Sequence, residues 1–204
     1  ILGCRLLQSD RNMHAVTGRT LLPGEHAILG LLALRPMHGY EMARLFAEED
    51  LVAVCPVEQS LLYTYLRNIE ERALVAWEER RVGNRPPRKL YELTASGRAE
   101  LRAWLQQPVG RIREIRLDFL LKVYFLHQLD TETERSLLAE QIDVCEAYEA
   151  RLESALAGQR GFPRLVALSK LSAATATLQW LRAYALELEH TRDEEPSLAT
   201  PPVS

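Results

Sequence analysis

The stretch Leu74–Leu93, LVAWEERRVGNRPPRKLYEL, decides the fold. Its first part, Leu74 to Arg81, sets Val75 and Trp77 two residues apart, and its last part, Lys89 to Leu93, does the same with Tyr91 and Leu93. Period-two apolar spacing belongs to a strand, whose side chains alternate between two faces. Between them lies Val82–Arg88, with Gly83, Asn84, Pro86 and Pro87, residue types that turn a chain. The stretch therefore predicts a β-hairpin with a long tip. From Arg80 to Lys89 it carries five basic residues, Arg80, Arg81, Arg85, Arg88 and Lys89, and no acidic one, in a chain of net charge -3.

Upstream the apolar period changes to that of helices. Pro23-Gly24-Glu25 opens one whose residues Ile28, Leu29, Leu31, Leu32 and Leu34 predict burial on all sides, and Arg35-Pro36 stops it, because proline cannot continue the hydrogen-bond ladder. A second starts near His38-Gly39 and carries Tyr40, Met42, Ala43, Leu45 and Phe46. A third, from about Val57 to Arg72, sets Leu62, Leu66 and Ile69 on one face. Downstream of the hairpin, Thr94 is an N-cap for a helix through Leu105. Helix, helix, helix, hairpin, helix is the order of a winged helix-turn-helix domain, which we place at 24–108.

After Pro108-Val109-Gly110 the pattern is helical throughout. One helix is expected over Ile112–Leu129. A second starts at Asp130 or Thr131, where Thr131 and Glu134 have capping-box spacing, and runs to about Ala157. A turn follows at Gly158–Pro163, and a last helix over Arg164–His190. In that helix Leu171, Leu178 and Ala185 recur every seven residues, as do Ala174, Leu181 and Leu188, a heptad seam suited to packing on another helix. Residues 109–194 are thus expected to form a helical dimerisation domain, with Leu171, Leu178, Leu181 and Leu188 at the interface. Residues 1–23 read as a flexible arm and 195–204 as a disordered, Pro-rich tail. The fold class expected is mainly α with one hairpin.

Composition narrows the function. An apolar content of 47% and a charged content of 26% suit a globular chain. Three scattered cysteines, Cys4, Cys55 and Cys145, make no disulfide framework and point to a reducing cytoplasm. No apolar run reaches the roughly 20 residues that span a bilayer, and Ile1–Asn12 lacks the apolar run of a signal peptide. Met13 is a candidate start, which would leave residues 1–12 outside the natural protein. The histidines His14, His26, His38, His127 and His190 form no ligand pair, and no Gly-rich phosphate loop or Gly-x-Ser-x-Gly occurs. No cofactor, no metal and no catalytic residue is expected. Cys55, just before the third helix, suits either a redox trigger or, more ordinarily, a small buried residue.

A winged helix reads duplex DNA with two tools. The recognition helix enters the major groove, and the wing brings positive charge to phosphates. With Leu62, Leu66 and Ile69 inward, Gln59, Ser60, Tyr63, Thr64 and Arg67 face out, and these are polar groups suited to base edges. The five cations of the wing concentrate charge where screening leaves a reach of only about 8–10 Å.

Five motifs in order resemble the PadR family of transcriptional regulators: Ala27–Leu32 followed by His38-Gly39-Tyr40-Glu41, Leu62-Tyr63 with Leu66, Arg85–Tyr91, Leu93–Gly97, and Arg116–Lys122. Thr64 departs from the proline common after the tyrosine, and the amino-terminal arm is longer than usual. The resemblance implies a homodimer joined by its carboxy-terminal helices, repression of a nearby gene, and a small hydrophobic or aromatic effector near the dimer interface. Trp104, Tyr124, Trp180 and Tyr184 are the aromatic candidates for holding such an effector. Two alternatives remain. A MarR-like protein shares the basic wing and the Leu-Thr-x-x-Gly helix start, but needs more dimerising helix than residues 1–23 supply. A helical protein-interaction module with a vestigial DNA-binding domain is opposed by the basic run.

Overall fold

The computed structural model of the chain describes residues 20–47, 49–81 and 87–194. The elements are α1 (Pro23–Leu34), β1 (Met37–His38), α2 (Gly39–Ala47), α3 (Glu49–Val54), α4 (Gln59–Glu71), β2 (Val75–Arg80), β3 (Arg88–Leu93) and α5 (Ala95–Leu105), then α6 (Ile112–Glu114), a π-helical turn (Ile115–Phe119), α7 (Leu120–Leu129), α8 (Thr131–Leu156) and α9 (Gly161–Glu194). The winged helix-turn-helix order is present, followed by a helical half. The expected arm and tail lie largely outside the described residues.

α1 is apolar around its whole circumference and packs against α4, α5, α7 and β3. Its one acidic residue, Glu25, is fully buried. The carboxylate accepts the Leu22 N–H at 2.8 Å and the Asn68 side-chain amide at 2.9 Å, which satisfies a donor at the start of α1 and ties that end to α4. Gly30 admits the ring of Phe125 from α7, since a Cβ there would lie 2.5 Å from a ring carbon. One apolar core consequently runs through both halves of the chain.

Two elements escape the sequence pattern. Met37–His38 forms a strand that pairs antiparallel with β3 (Met37↔Tyr91, His38↔Leu90), giving a sheet of order β1-β3-β2. A two-residue strand is too short to show a period. α3 is a six-residue helix inserted before α4, which therefore starts at Gln59 rather than Val57. In the hairpin, Val75 faces Leu93 and Trp77 faces Tyr91. Only Val75 of β2 is buried; from Ala76 onward the strand projects past the core and Trp77 is exposed.

The start of α5 is held as expected. Thr94 Oγ1 accepts the Gly97 N–H at 3.0 Å and lies 2.8 and 3.0 Å from the carbonyl oxygens of Ala73 and Leu74. Gly97 allows the closest approach in this half, because a Cβ there would sit 2.0 Å from the Leu74 carbonyl oxygen.

In the helical half Gln141 of α8 clamps the connection after α5, accepting the Val109 N–H at 2.7 Å and donating to the Val109 carbonyl at 3.1 Å. The expected helix Ile112–Leu129 has those bounds, with the π turn Ile115–Phe119 inside it. Asp130, not the Thr131–Glu134 pair, caps α8, taking the Thr133 N–H and hydroxyl at 3.1 and 2.6 Å. Glu134 is instead buried and accepts the Tyr184 hydroxyl of α9. α9 begins at Gly161, at φ +62, because Pro163 is tolerated in a first turn whose N–H groups need no helical partner, and it extends past His190 to Glu194.

The heptad seam of α9 requires a correction. Leu178, Leu181 and Leu188 are buried within the chain, Leu171 half so, and the helix that α9 packs on most extensively is α8 of the same chain. These leucines therefore build the core of the helical half and leave little apolar surface for a second copy. A second row, Phe162, Val166, Ser169, Ala173, Ala176, Trp180 and Ala183, also has alternating spacings of four and three and stays exposed. It is apolar except for the small hydroxyl of Ser169. At 3.6 residues per turn it lies roughly 120° around the helix from the buried seam.

Candidate nucleic-acid interface

Gln59, Ser60, Tyr63, Thr64 and Arg67 are all exposed on α4, while Leu62, Leu66 and Ile69 are buried beneath them. Thr64 donates its hydroxyl to the Ser60 carbonyl at 3.2 Å, which leaves its oxygen and methyl group outward. Asn68, held by Glu25, anchors the inner edge of the helix, so this polar row stands on a helix whose rotation is determined by the core.

Two contacts hold the wing beside that helix and a third joins the wing's two strands. The Trp77 indole N–H donates to Glu70 of α4 at 2.5 Å. The Lys89 ammonium lies 3.8 Å from the centre of the Trp77 ring and 3.4 Å from the same Glu70 carboxylate. Such a cation–π contact is worth about 0.5–1 kcal/mol at an exposed site. Lys89 is thereby a brace between hairpin and helix. Arg80 pairs with Glu78 at 2.6 Å, Arg81 is exposed, and Arg85 lies outside the described residues.

β1 joins the same surface. The His38 ring Nδ1 is 2.8 Å from the Lys89 carbonyl oxygen, to which it donates as the Nδ1–H tautomer. The Arg88 guanidinium covers the Tyr40 ring at 4.9 Å, and that ring stacks on His38 at 5.6 Å. Gly39 lets Tyr63 come close, a Cβ there lying 2.9 Å from a ring carbon. Tyr40 and Tyr63, both exposed, therefore share one face with Arg88. The spacing of Tyr40 does not mark it as a site residue; its one signal in the sequence is an aromatic at the exposed start of a helix. Burial works to raise the Glu41 carboxyl, but the His38 N–H at 2.7 Å and the neighbouring Arg35 outweigh it and hold the group below the usual carboxylate range.

The four aromatic effector candidates are not brought together. Trp104 stacks flat on His26 at 4.4 Å between α1 and α5, beneath the Lys122 ammonium of α7 at 5.1 Å. Tyr124 packs edge-on against Phe125. Trp180 and Tyr184 do stack on one another, at 6.2 Å, but Tyr184 turns its hydroxyl inward to Glu134, and burial together with that carboxylate pushes its pKa far up. Trp180 borders an open groove, formed with the 110–120 segment. Cys55 is buried and burial, with Asp118 nearby, raises its thiol, the opposite of what an easily oxidised thiolate needs. Among the described residues no three metal-binding side chains meet, and no helix is long and apolar enough to cross a membrane.

A helix with an exposed polar row, flanked by a hairpin that carries exposed cations and set by a buried core, is the arrangement of a winged-helix DNA-binding protein. Residues 28–103 match the "Transcriptional regulator PadR-like family", and residues 115–189 match "Virulence activator alpha C-term". The chain is 30% identical over 125 residues to "Negative transcriptional regulator PadR" of Bacillus subtilis, covering 60% of this chain and 67% of that protein. Crystal structures of the Bacillus subtilis PadR with operator DNA (24% identity, TM-score 0.42, 80% of this chain and 98% of that one) and with p-coumaric acid (23%, 0.40, 82% and 99%) are also similar. The chain belongs to the PadR-like family. It is a transcriptional regulator and not an enzyme, and the MarR-like alternative is set aside.

Proposed function

We propose that this regulator is a cytoplasmic homodimer that represses transcription by binding an inverted-repeat operator. Gln59, Ser60, Tyr63, Thr64 and Arg67 would read the major groove, and Arg80, Arg81, Arg85 and Arg88 would hold phosphates, with Lys89 positioning the wing. The observation that carries this reading is the exposed polar row of α4 beside a hairpin braced to the same helix through Trp77, Lys89 and Glu70. Tyr40, under Arg88, is added as a backbone contact.

The exposed row of α9 supports the dimer. Phe162 is 75% and Trp180 41% exposed, with the small residues Ser169, Ala173 and Ala176 between them. A two-fold axis near Ala173 would set Phe162 against Ala183, Val166 against Trp180 and Ser169 against Ala176. The large rings then meet smaller side chains, as a self-complementary interface requires. The dimer would present two recognition helices about 34–36 Å apart, in successive major grooves. A small-molecule effector would act by favouring a dimer of different spacing, which requires that it bind that state more tightly.

Anisotropy with DNA from the promoter of the protein's own gene, at several salt concentrations and with unrelated competitor, tests the reading. Arg67→Ala is expected to lose about 1–3 kcal/mol of specific affinity, and Arg88→Ala to weaken all sequences alike with a shallower salt slope. Unchanged specific affinity in both variants would reject the interface.

A further inference from the structure

The helical half contains a groove of about 840 Å³, a volume in the range that encloses a small organic ligand. Four cations line it: Arg111 and Arg113 from the chain entering the π turn, Arg116 from the turn itself, and Lys170 from α9. No lining residue is acidic, in a chain whose net charge is -3. Arg111 is paired with Glu114 at 3.5 Å, whereas Arg113, Arg116 and Lys170 make no ion pair with a described residue. Three like charges around one cavity repel each other, and an anion between them removes that cost. The rest of the lining is largely apolar. Ile112, Ile115 and Leu120 stand on one side, and Ala173, Ala176 and the Trp180 indole on the other. Phe119 meets Trp180 edge-on at 6.1 Å and Tyr184 stacks on it, so the indole is held as a fixed wall. The π turn Ile115–Phe119 lies at this wall, and such turns recur at functional sites.

We propose that this groove binds an organic phosphate: an apolar or aromatic body against Trp180, Ala173 and Ala176, with its phosphate among Arg113, Arg116 and Lys170. A phosphate monoester carries about −1.5 to −2 charges at pH 7, which answers three uncommitted cations better than a monocarboxylate does. Guanidinium forks also match phosphate oxygens in pairs. Ala173, Ala176 and Trp180 belong as well to the exposed row offered above as the dimer face. In the dimer offered above the partner helix covers these three residues, so ligand and partner compete for them, and occupancy is linked through the dimer to operator affinity. That regulatory consequence rests on the proposed function; the binding itself does not.

The test is calorimetry on the full chain with decyl phosphate below its micelle concentration, adenosine monophosphate, decanoate, decyltrimethylammonium and inorganic phosphate. One site per chain is expected, with one of the two esters at least about tenfold tighter than decanoate and no binding of the cationic amphiphile. The preferred ester tells an aliphatic body from a nucleoside. Arg113→Glu with Arg116→Glu, or Lys170→Glu should that pair fail to fold, is expected to lose at least about tenfold at unchanged circular dichroism and sedimentation. Affinity that survives the charge reversals, or that is no better for the esters than for inorganic phosphate or decanoate, overturns the proposal. Ester binding that leaves operator affinity unchanged supports the site and rejects only its role as effector; failure of the Arg67 and Arg88 variants to weaken DNA binding bears on the proposed function alone.

Discussion

In the winged half, close approaches are made by backbone and small residues: Gly97 under the Leu74 carbonyl, Gly39 under Tyr63, Thr94 joining the α4–β2 turn to α5. In the helical half, contact is made by long rows of side chains, above all the leucines of α9 against α8. The first kind of fit tolerates no added atom but is local. The second tolerates change at single sites but is satisfied only when the right partner helix is present. The two halves meet where His26, Trp104 and Lys122 stack between α1, α5 and α7.

The sharpest way to break this contrast is Gly97→Ala. A Cβ 2.0 Å from a backbone oxygen forces α5 away from the β2 junction, and a stability loss of at least about 3 kcal/mol is expected by chemical denaturation. Leu181→Ala, in the buried seam, is expected to cost about 2–5 kcal/mol, whereas Ala173→Glu on the exposed row should leave monomer stability within about 0.5 kcal/mol and abolish dimer in sedimentation. If Leu181→Ala dissociates a dimer without loss of stability, the two faces of α9 have been assigned the wrong way round. Because one core crosses both halves, Leu181→Ala should also lower a single cooperative transition seen by all probes; two separated transitions would show that the halves fold apart.

At the joint, burial and then the Lys122 ammonium hold His26 down at about 4. Its contact with Glu100 at 3.8 Å is therefore no ion pair at neutral pH. The unfolded chain takes a proton at His26 near the ordinary 6.5, and the folded chain only near 4. Stability is thus lost as pH falls from about 6.5 to 4, by up to about 3 kcal/mol, and this group adds nothing above that window. His26→Gln should flatten the denaturation midpoint across that range; an unaltered profile assigns the acid sensitivity to other groups. Lys122, buried and brought down to about 8 by burial, remains largely charged at neutral pH and donates to the Gln107 carbonyl. The smallest effect is expected at Ala73, which turns the chain from α4 to β2 at φ 55. Ala73→Gly should gain up to about 1 kcal/mol in thermal unfolding, since glycine alone adopts that region without strain.

Much of the winged half was legible because its signals are local. The Thr94 cap, the stop at Pro36, the period-two hairpin and the α4 face each lie within a few residues of one another. The basic run and the polar row were likewise readable as charge and spacing. The brace at Lys89 and the approach of Tyr40 to Arg88 were not, since β1 pairs with β3 across some fifty positions and no local pattern announces a two-residue strand. That the four aromatics lie apart was illegible for a similar reason: helical spacing places side chains on a face but does not say which neighbour covers it.

By itself, then, the sequence determined the class of fold, the order of its longer helices and its hairpin, the outward polar row of α4, and the family to which the chain belongs. These follow from nearest-neighbour chemistry and periodicity, which act along the chain. Only the tertiary structure decided which row of α9 is buried, that Asp130 rather than Thr131 caps α8, and that Arg113, Arg116 and Lys170 border one groove. Two largely apolar rows on one helix are equivalent until another helix covers one of them, and residues more than fifty positions apart become neighbours only when α8 and α9 fold back beside the π turn.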